Sequence, residues 1–263
     1  MINLIQNTIG ALGRSGGGGG DTTSFITTWR TTTASESITI PTTGTGYNYA
    51  ISTSDGQTFS GLTGDKTITF AIAGDYDISI SGDFPRIYFN NGGDKTKIID
   101  IKQWGGIVWS SFASSFWGCS NMVGTFTDTP NLGGVNDMGN TFRGASVFTG
   151  NISSWDVSNV TSMPAILMQA TLFSNNLASW DISNLTNMGY MFFSATLSTP
   201  DYDATLIGWE ATLQATFPSG TGYTPTISTT FGNSEYTGGG AAAAARASLI
   251  SNFGWTITDG GIA

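Results

Sequence analysis

The sequence predicts a mainly β protein in which an N-terminal β-sandwich runs into a short solenoid of about four coils, closed by an α/β C-terminal cap. Three observations carry that reading. Short runs rich in Thr, Ile, Tyr and Phe alternate with turn residues between positions 25 and 90. Apolar residues recur every 25 positions through the centre of the chain, and clear helix signals come only after residue 197.

Taken in order, residues 1–24 form an anchor peptide and a tether. Ile2, Leu4, Ile5, Ile9 and Leu12 place much apolar surface on a short segment, and Gly16–Gly20 follow as a flexible spacer. The segment is too short and too interrupted by Gln6 and Asn7 to span a bilayer, so the expected partner is protein. It also lacks the basic start and small-residue cleavage site of a secretory signal, so none is expected.

Residues 25–92 read as the sandwich. Strands are expected at 25–29, 37–40, 47–52, 66–71, 75–81 and 86–89, separated by Pro41, Gly44, Asp55-Gly56, Gly64-Asp65, Gly74 and Gly82. Asp75 with Asp77, and Asp55 with Asp65, fall in or beside these turns, where Asp most often caps its own backbone.

Residues 93–197 read as the solenoid. Val135, Val160 and Leu185 lie 25 residues apart, as do Met138, Met163 and Met188, then Phe142, Leu167 and Phe192, then Ala145, Ala170 and Ala195. Four columns locked to one period indicate stacked coils that share a core. Trp109, Phe112, Phe116 and Cys119 precede the next coil by 26 and supply a degenerate first one, in which Cys119 takes the small-residue position and is expected to be buried. Within each coil, NISSWDVSN (151–159) and NLASWDISN (176–184) suggest a strand and its exit turn. Trp155 and Trp180 then form either a core column or an exposed aromatic strip suited to glycans, and the core is the stronger expectation. The candidate glycan or receptor contacts are Ser153, Ser154, Trp155, Ala178, Ser179 and Trp180.

Residues 198–263 read as the cap. Ser198 or Thr199 before Pro200, with Asp201 and Asp203 in the first turn, starts a helix whose apolar face holds Leu206, Ile207 and Trp209. A second helix is expected over 241–251 and a closing strand over 255–257.

Composition narrows the chemistry. The formal charge is −9, so nucleic-acid binding is not expected. With no His and a single Cys, His-based catalysis and most zinc or copper sites are removed, and no cofactor or metal is expected. Asp156 and Asp181 repeat with the coil, as structural residues do, so the chain is expected not to be an enzyme; an Asp-dependent glycan-degrading enzyme is the distant alternative.

At these residues the chain resembles a known family. WDVSNVTSM (155–163) and WDISNLTNMGYMF (180–192) are similar to the repeats of the BspA-like leucine-rich-repeat surface proteins, found among bacterial surface proteins and phage structural proteins. FITTWRTT, ITIPTTGTGYNY, GDFPRIYFNNGGDKTKI and QWGGIVWSSFASSFWGCSNM resemble the family's N-terminal domain and first coil, and YDATLIGW and LISNFGWTITDGG its cap. The resemblance implies a PKD/Ig-like β-sandwich before a leucine-rich-repeat-like solenoid, with roles in adhesion and display. Thr53-Ser54-Asp55-Gly56 departs from the family's usual Trp-Gly-Asp-Gly turn. Bacterial members generally carry export signals and sorting tails, which this sequence is read as lacking; the anchor and tether in their place favour the phage branch. The expected protein is thus a virion component, a head or tail fibre or decoration protein, at the virion surface. It would meet other virion proteins through its N-terminal peptide and a host surface protein or glycan through the solenoid, and would self-associate as a homo-oligomer, with a trimer one option. The alternative is an adhesin at the bacterial cell surface.

Overall fold

The computed structural model describes residues 21–263, so Ile2, Leu4, Ile5, Ile9, Leu12 and the glycine run lie outside the described residues. The described chain is mainly β, with two α-helices near its C-terminal end.

The N-terminal part contributes β1 (Phe25–Thr31), β2 (Glu36–Ile40), β3 (Asn48–Thr53), β4 (Thr58–Leu62), β5 (Lys66–Phe70) and β6 (Gly74–Asp83), followed by β7 (Ile98–Gln103) and β8 (Val123–Gly124). They form a six-stranded sheet in the order β4-β3-β6-β1-β7-β8 and a separate antiparallel pair of β2 with β5. Alternation sets the faces: Ile38, Ile40, Ile68 and Phe70 turn inward from the pair, while Thr39, Thr67 and Thr69 face outward. Phe25, Trp29, Ile78 and Ile80 are buried from the large sheet.

Two sequence expectations need correction here. Residues 86–89 are not a strand; Phe89 and Asn90 donate their amides to the carbonyls of Ser115 and Ser114 (3.1 and 3.0 Å), so this segment docks on the first coil. The left-handed turn at Asn90 and Asn91 (φ 45° and 60°) then ends it. Conversely, β4 was not legible, because TFSGL carries Gly61 and little apolar alternation. Strand β7 pairs antiparallel with β1 and parallel with β8, so it belongs both to the large sheet and to the coil that follows. A single buried cluster runs from Phe25 to Trp255.

From residue 108 to 197 the chain forms stacked coils. Phe112, Ser114, Phe116 and Gly118 donate to the carbonyls of Asp137, Gly139, Thr141 and Arg143 (2.7–3.1 Å). Met138, Asn140, Phe142 and Gly144 donate to Ser162, Pro164, Ile166 and Met168, and Met163, Ala165, Leu167 and Gln169 to Asn187, Gly189, Met191 and Phe193. All four apolar columns are buried, and Cys119 is buried among them, its thiol pushed well above its ordinary pKa by desolvation.

The coils are not built as the sequence suggested. Residues 151–159 and 176–184 are consecutive turns, with bonds from Trp155 N to Ile152 O (3.2 Å) and from Val160 N to Val157 O (2.8 Å). The reason is local: Asn151 and Asp156 accept the amides two residues on, at Ser153 and Ser158 (3.0 and 3.1 Å), which draws the backbone into Asx turns instead of an extended ladder. The parallel contacts between coils are single bridges, Asp137 with Ser162 and Ser162 with Asn187.

The C-terminal part closes the stack with α1 (Thr199–Thr216), β9 (Ser228–Thr230), β10 (Glu235–Tyr236), α2 (Ala241–Ser251), β11 (Thr256–Thr258) and β12 (Gly261–Ile262). Ser198 caps α1, accepting the Asp201 amide at 3.3 Å. The cap imitates a further coil. The Trp180 indole donates to the Ile152 carbonyl (2.9 Å), and the Trp209 indole of α1 donates to Leu177, the equivalent carbonyl one coil on (2.7 Å). Phe192 continues the backbone ladder by donating to Thr230 of β9 (2.9 Å).

Candidate functional site

The residues singled out in the sequence fall on one edge of the stack, and the structure divides them. Trp155 and Trp180 are 2% and 0% exposed, so neither can stack on a glycan; they form the core column, and the exposed-strip alternative is overturned. Ala178 is half-buried beneath α1, where Gly208 packs so closely that a side chain there would strike the Ala178 backbone. Ser154 and Ser179 are exposed and Ser153 is half-buried. The Ser179 hydroxyl donates to the Ser153 carbonyl, and the Ser153 hydroxyl to Asn151 Oδ1 (2.7 Å), so this edge spends much of its polarity on holding neighbouring coils together. Thr161 and Thr186 do the same elsewhere, each bonding to the carbonyl one coil back (3.2 and 3.0 Å).

The acidic residues are likewise engaged. Asp75 pairs with Arg30 (2.7 Å), Asp77 with Lys102 (2.8 Å), Asp65 accepts from Thr42 (2.7 Å), and Asp55 accepts from Thr53 and Gln57. Asp156 caps the Ser158 turn, and the Ser158 hydroxyl and amide hold its pKa below the ordinary value. Among the described residues no group of three or more His, Cys, Asp or Glu side chains is placed to hold a metal ion, and no helix is long and apolar enough to cross a membrane. An open cleft of about 540 Å³ is bordered by Thr23, Gly46, Asp83, Pro85 and Gly106.

A different face of the stack escaped the sequence reading. The ladder fixes two adjoining columns of side chains. Asn91 N bonds to Trp117 O, Gly118 N to Arg143 O, Gly144 N to Met168 O and Gln169 N to Phe193 O (2.7–3.1 Å), which places Trp117, Arg143, Met168 and Phe193 in one row. Beside them, Asn90 N bonds to Ser114 O, and Ser114, Asn140, Ala165 and Tyr190 occupy equivalent positions, all with left-handed backbone (φ 53–58°). Tyr190 is 66% and Phe193 45% exposed, their rings edge to face at 6.2 Å. The Arg143 guanidinium lies 4.7 Å from the centre of the Trp117 ring, and that of Arg86 4.4 Å from Tyr88. Lys95 reaches over Gly118, bonding to Asn91. The left-handed backbone is common to the whole column and follows from the coil's turn; what sets Tyr190 apart is a bulky ring at such a position, open to solvent. The sequence signal was present in the positions that break the repeat: Arg143, Tyr190 and Phe193 differ from their counterparts one coil away.

A family model described as "Mycoplasma protein of unknown function, DUF285" matches residues 110–217. That span covers the stacked coils and α1 and leaves out the strands up to β7. No curated protein and no solved structure matches the chain.

Proposed function

We propose that the protein is a non-enzymatic display protein of the BspA-like kind, in which a PKD/Ig-like sandwich carries a leucine-rich-repeat-like solenoid that adheres to a host surface protein or glycan. The observation that carries this is the hydrogen-bonded stack itself. It has a continuous core and a closed end, and among the described residues no element covers one row of aromatic and cationic side chains. Such a scaffold holds side chains in fixed rows at one coil's spacing, which suits recognition of an extended partner. The setting we propose is the surface of a bacteriophage particle, as a head or tail fibre or decoration protein. There the apolar peptide with Ile2, Leu4, Ile5, Ile9 and Leu12 engages other virion proteins or its own copies in a homo-oligomer such as a trimer.

A second reading, a surface adhesin of a bacterial cell, is favoured by one observation: the family that matches residues 110–217 is described from Mycoplasma. Mass spectrometry of purified particles separates the two. The virion reading expects the protein at fixed copy number in particles and expects the full chain to adhere to host cells; its absence from particles with presence on bacterial envelopes would select the adhesin.

A further inference from the structure

We propose that the row formed by Trp117, Arg143, Met168 and Phe193, with Tyr190 beside it, binds a linear acidic glycan through carboxylate groups at one end and sugar rings at the other. The inference rests on the display reading above and names its ligand class.

Charge is the first support. The protein carries a formal −9, and within the described residues Arg30, Lys97, Lys102 and Arg246 are each tied to a carboxylate. Lys66, Arg86, Lys95 and Arg143 are in no such pair; Lys66 lies over the Phe59 ring, and the other three converge on one segment, residues 113–118. Arg86 donates to the Ala113 carbonyl, Lys95 lies over Gly118, and Arg143 covers Trp117. Cations left unneutralised and gathered on an acidic protein mark where an anion is welcome.

Geometry is the second. A guanidinium laid on an aromatic ring keeps its N–H edge pointing sideways, which is the presentation a carboxylate accepts in a bidentate manner. Asn140 Oδ1 takes one Arg143 N–H at 3.2 Å and steadies the group. The Asp137 carboxylate is turned onto the Gly139 amide at 2.8 Å.

The aromatic end is the third. Two coils beyond Arg143 and three beyond Trp117, Phe193 closes the same row and Tyr190 the adjoining one, both rings open to solvent. Successive coils lie about 4.8 Å apart, as hydrogen-bonded backbones do, which is close to the length of one sugar unit. A polysaccharide lying along the row therefore meets cations first and stacking rings next, in register with its own repeat. A protein partner would require a broad apolar patch, whereas this row is narrow and flanked by the polar Ser114 and Asn140.

Binding of the full chain to polygalacturonate, with neutral dextran as control, tests the assignment by calorimetry at low and high salt. Expected are binding to the acidic polymer only, weakening as salt rises, and a loss of about tenfold for Arg143→Gln or Lys95→Gln. Tyr190→Gly is the decisive variant. Glycine relieves the left-handed backbone, so the melting temperature should hold or rise while binding weakens several-fold; a structural role for Tyr190 predicts the opposite pairing. Equal binding to dextran, retention of acidic proteins but not the polymer, or affinity unchanged in all three variants overturns the proposal. If the full chain adheres to host cells and the three variants adhere equally well, the row is the wrong face and the display reading stands; if the unaltered chain does not adhere at all, the display reading itself falls.

Discussion

The sheets of residues 25–83 and the coils of 108–197 satisfy their backbone polar groups in opposite ways. In the sheets, β1 pairs antiparallel with β6, some fifty residues away, and side chains alternate across two faces. In the coils each turn bonds to the next segment along, at a near-constant offset of 24 or 25 residues, and a core position recurs once per coil. The difference teaches where such a chain can vary. A strand change disturbs the face it lies on, whereas the outward rows of the coils are supported by backbone bonds and accept Trp117, Arg143, Met168 and Phe193 in turn. Met138, Met163 and Met188 show no such freedom.

The largest expected effect comes from Met163→Asp, which places an unpaired charge in a fully buried column and should cost several kcal/mol. Because one core joins sheets and coils, far-ultraviolet circular dichroism and Trp fluorescence should both report the loss in a single transition. A variant whose coils unfold while the sheets keep their own separate transition would break the comparison in favour of two independent units.

Next in size is Phe142→Ala. Phe142 stacks at 4.1 Å on Phe148 and at 5.7 Å on Phe116, so its removal opens a cavity between two coils and should cost about 3–5 kcal/mol, measured by denaturant titration. A cost under 1 kcal/mol would mean that the coils close up on one another, which their backbone ladder should prevent.

Glycine sharpens the contrast further. Gly82 of β6 sits at φ 90° with the Asn48 carbonyl where a side chain would be, so Gly82→Ala should destabilise the sheet by more than about 1 kcal/mol. Gln169 is exposed at φ 63° in a coil turn, so Gln169→Gly should raise stability by up to about 1 kcal/mol. Paired melting curves with the same sign would contradict the strain argument.

The smallest effect is electrostatic. The Thr32 amide, the Lys97 ammonium and the Thr33 amide hold the Glu36 pKa down to about 2, from an ordinary 4.5. A carboxylate with a depressed folded pKa stabilises fully above its unfolded value and loses that contribution as pH falls toward the folded one. Stability should therefore decline between pH 4.5 and about 2, and Glu36→Gln should flatten that decline slightly. An identical pH profile in the variant would show that the Thr32–Glu36 turn does not depend on the charge.

Sequence periodicity reached the core more readily than the site. The 25-residue columns are all buried where expected, and α2 and the Ser198 start of α1 agree with their signals, because burial and capping repeat by type. The turns of 151–159 were mistaken for a strand because Trp155, Val157 and their neighbours alternate as a strand does, while the Asx bonds of Asn151 and Asp156 override that pattern. The row of Trp117, Arg143, Met168 and Phe193 is not legible for a related reason. Recurrence points to Met163 and Trp180 and away from Arg143, Tyr190 and Phe193, which do not recur. Their common row is set by bonds between coils and becomes visible only once the register is known.

The proposed adhesive face is the coil face that carries Trp117 and Tyr190. Hydroxyl-radical footprinting of the full chain, free and bound to the host-cell envelope, addresses that placement directly. The prediction is that Trp117, Met168, Tyr190 and Phe193 lose reactivity on binding while the partly buried Phe59 and Tyr76 of the sheets do not change. Protection confined to residues 25–83, or to the edge at Ser154 and Ser179, would contradict it.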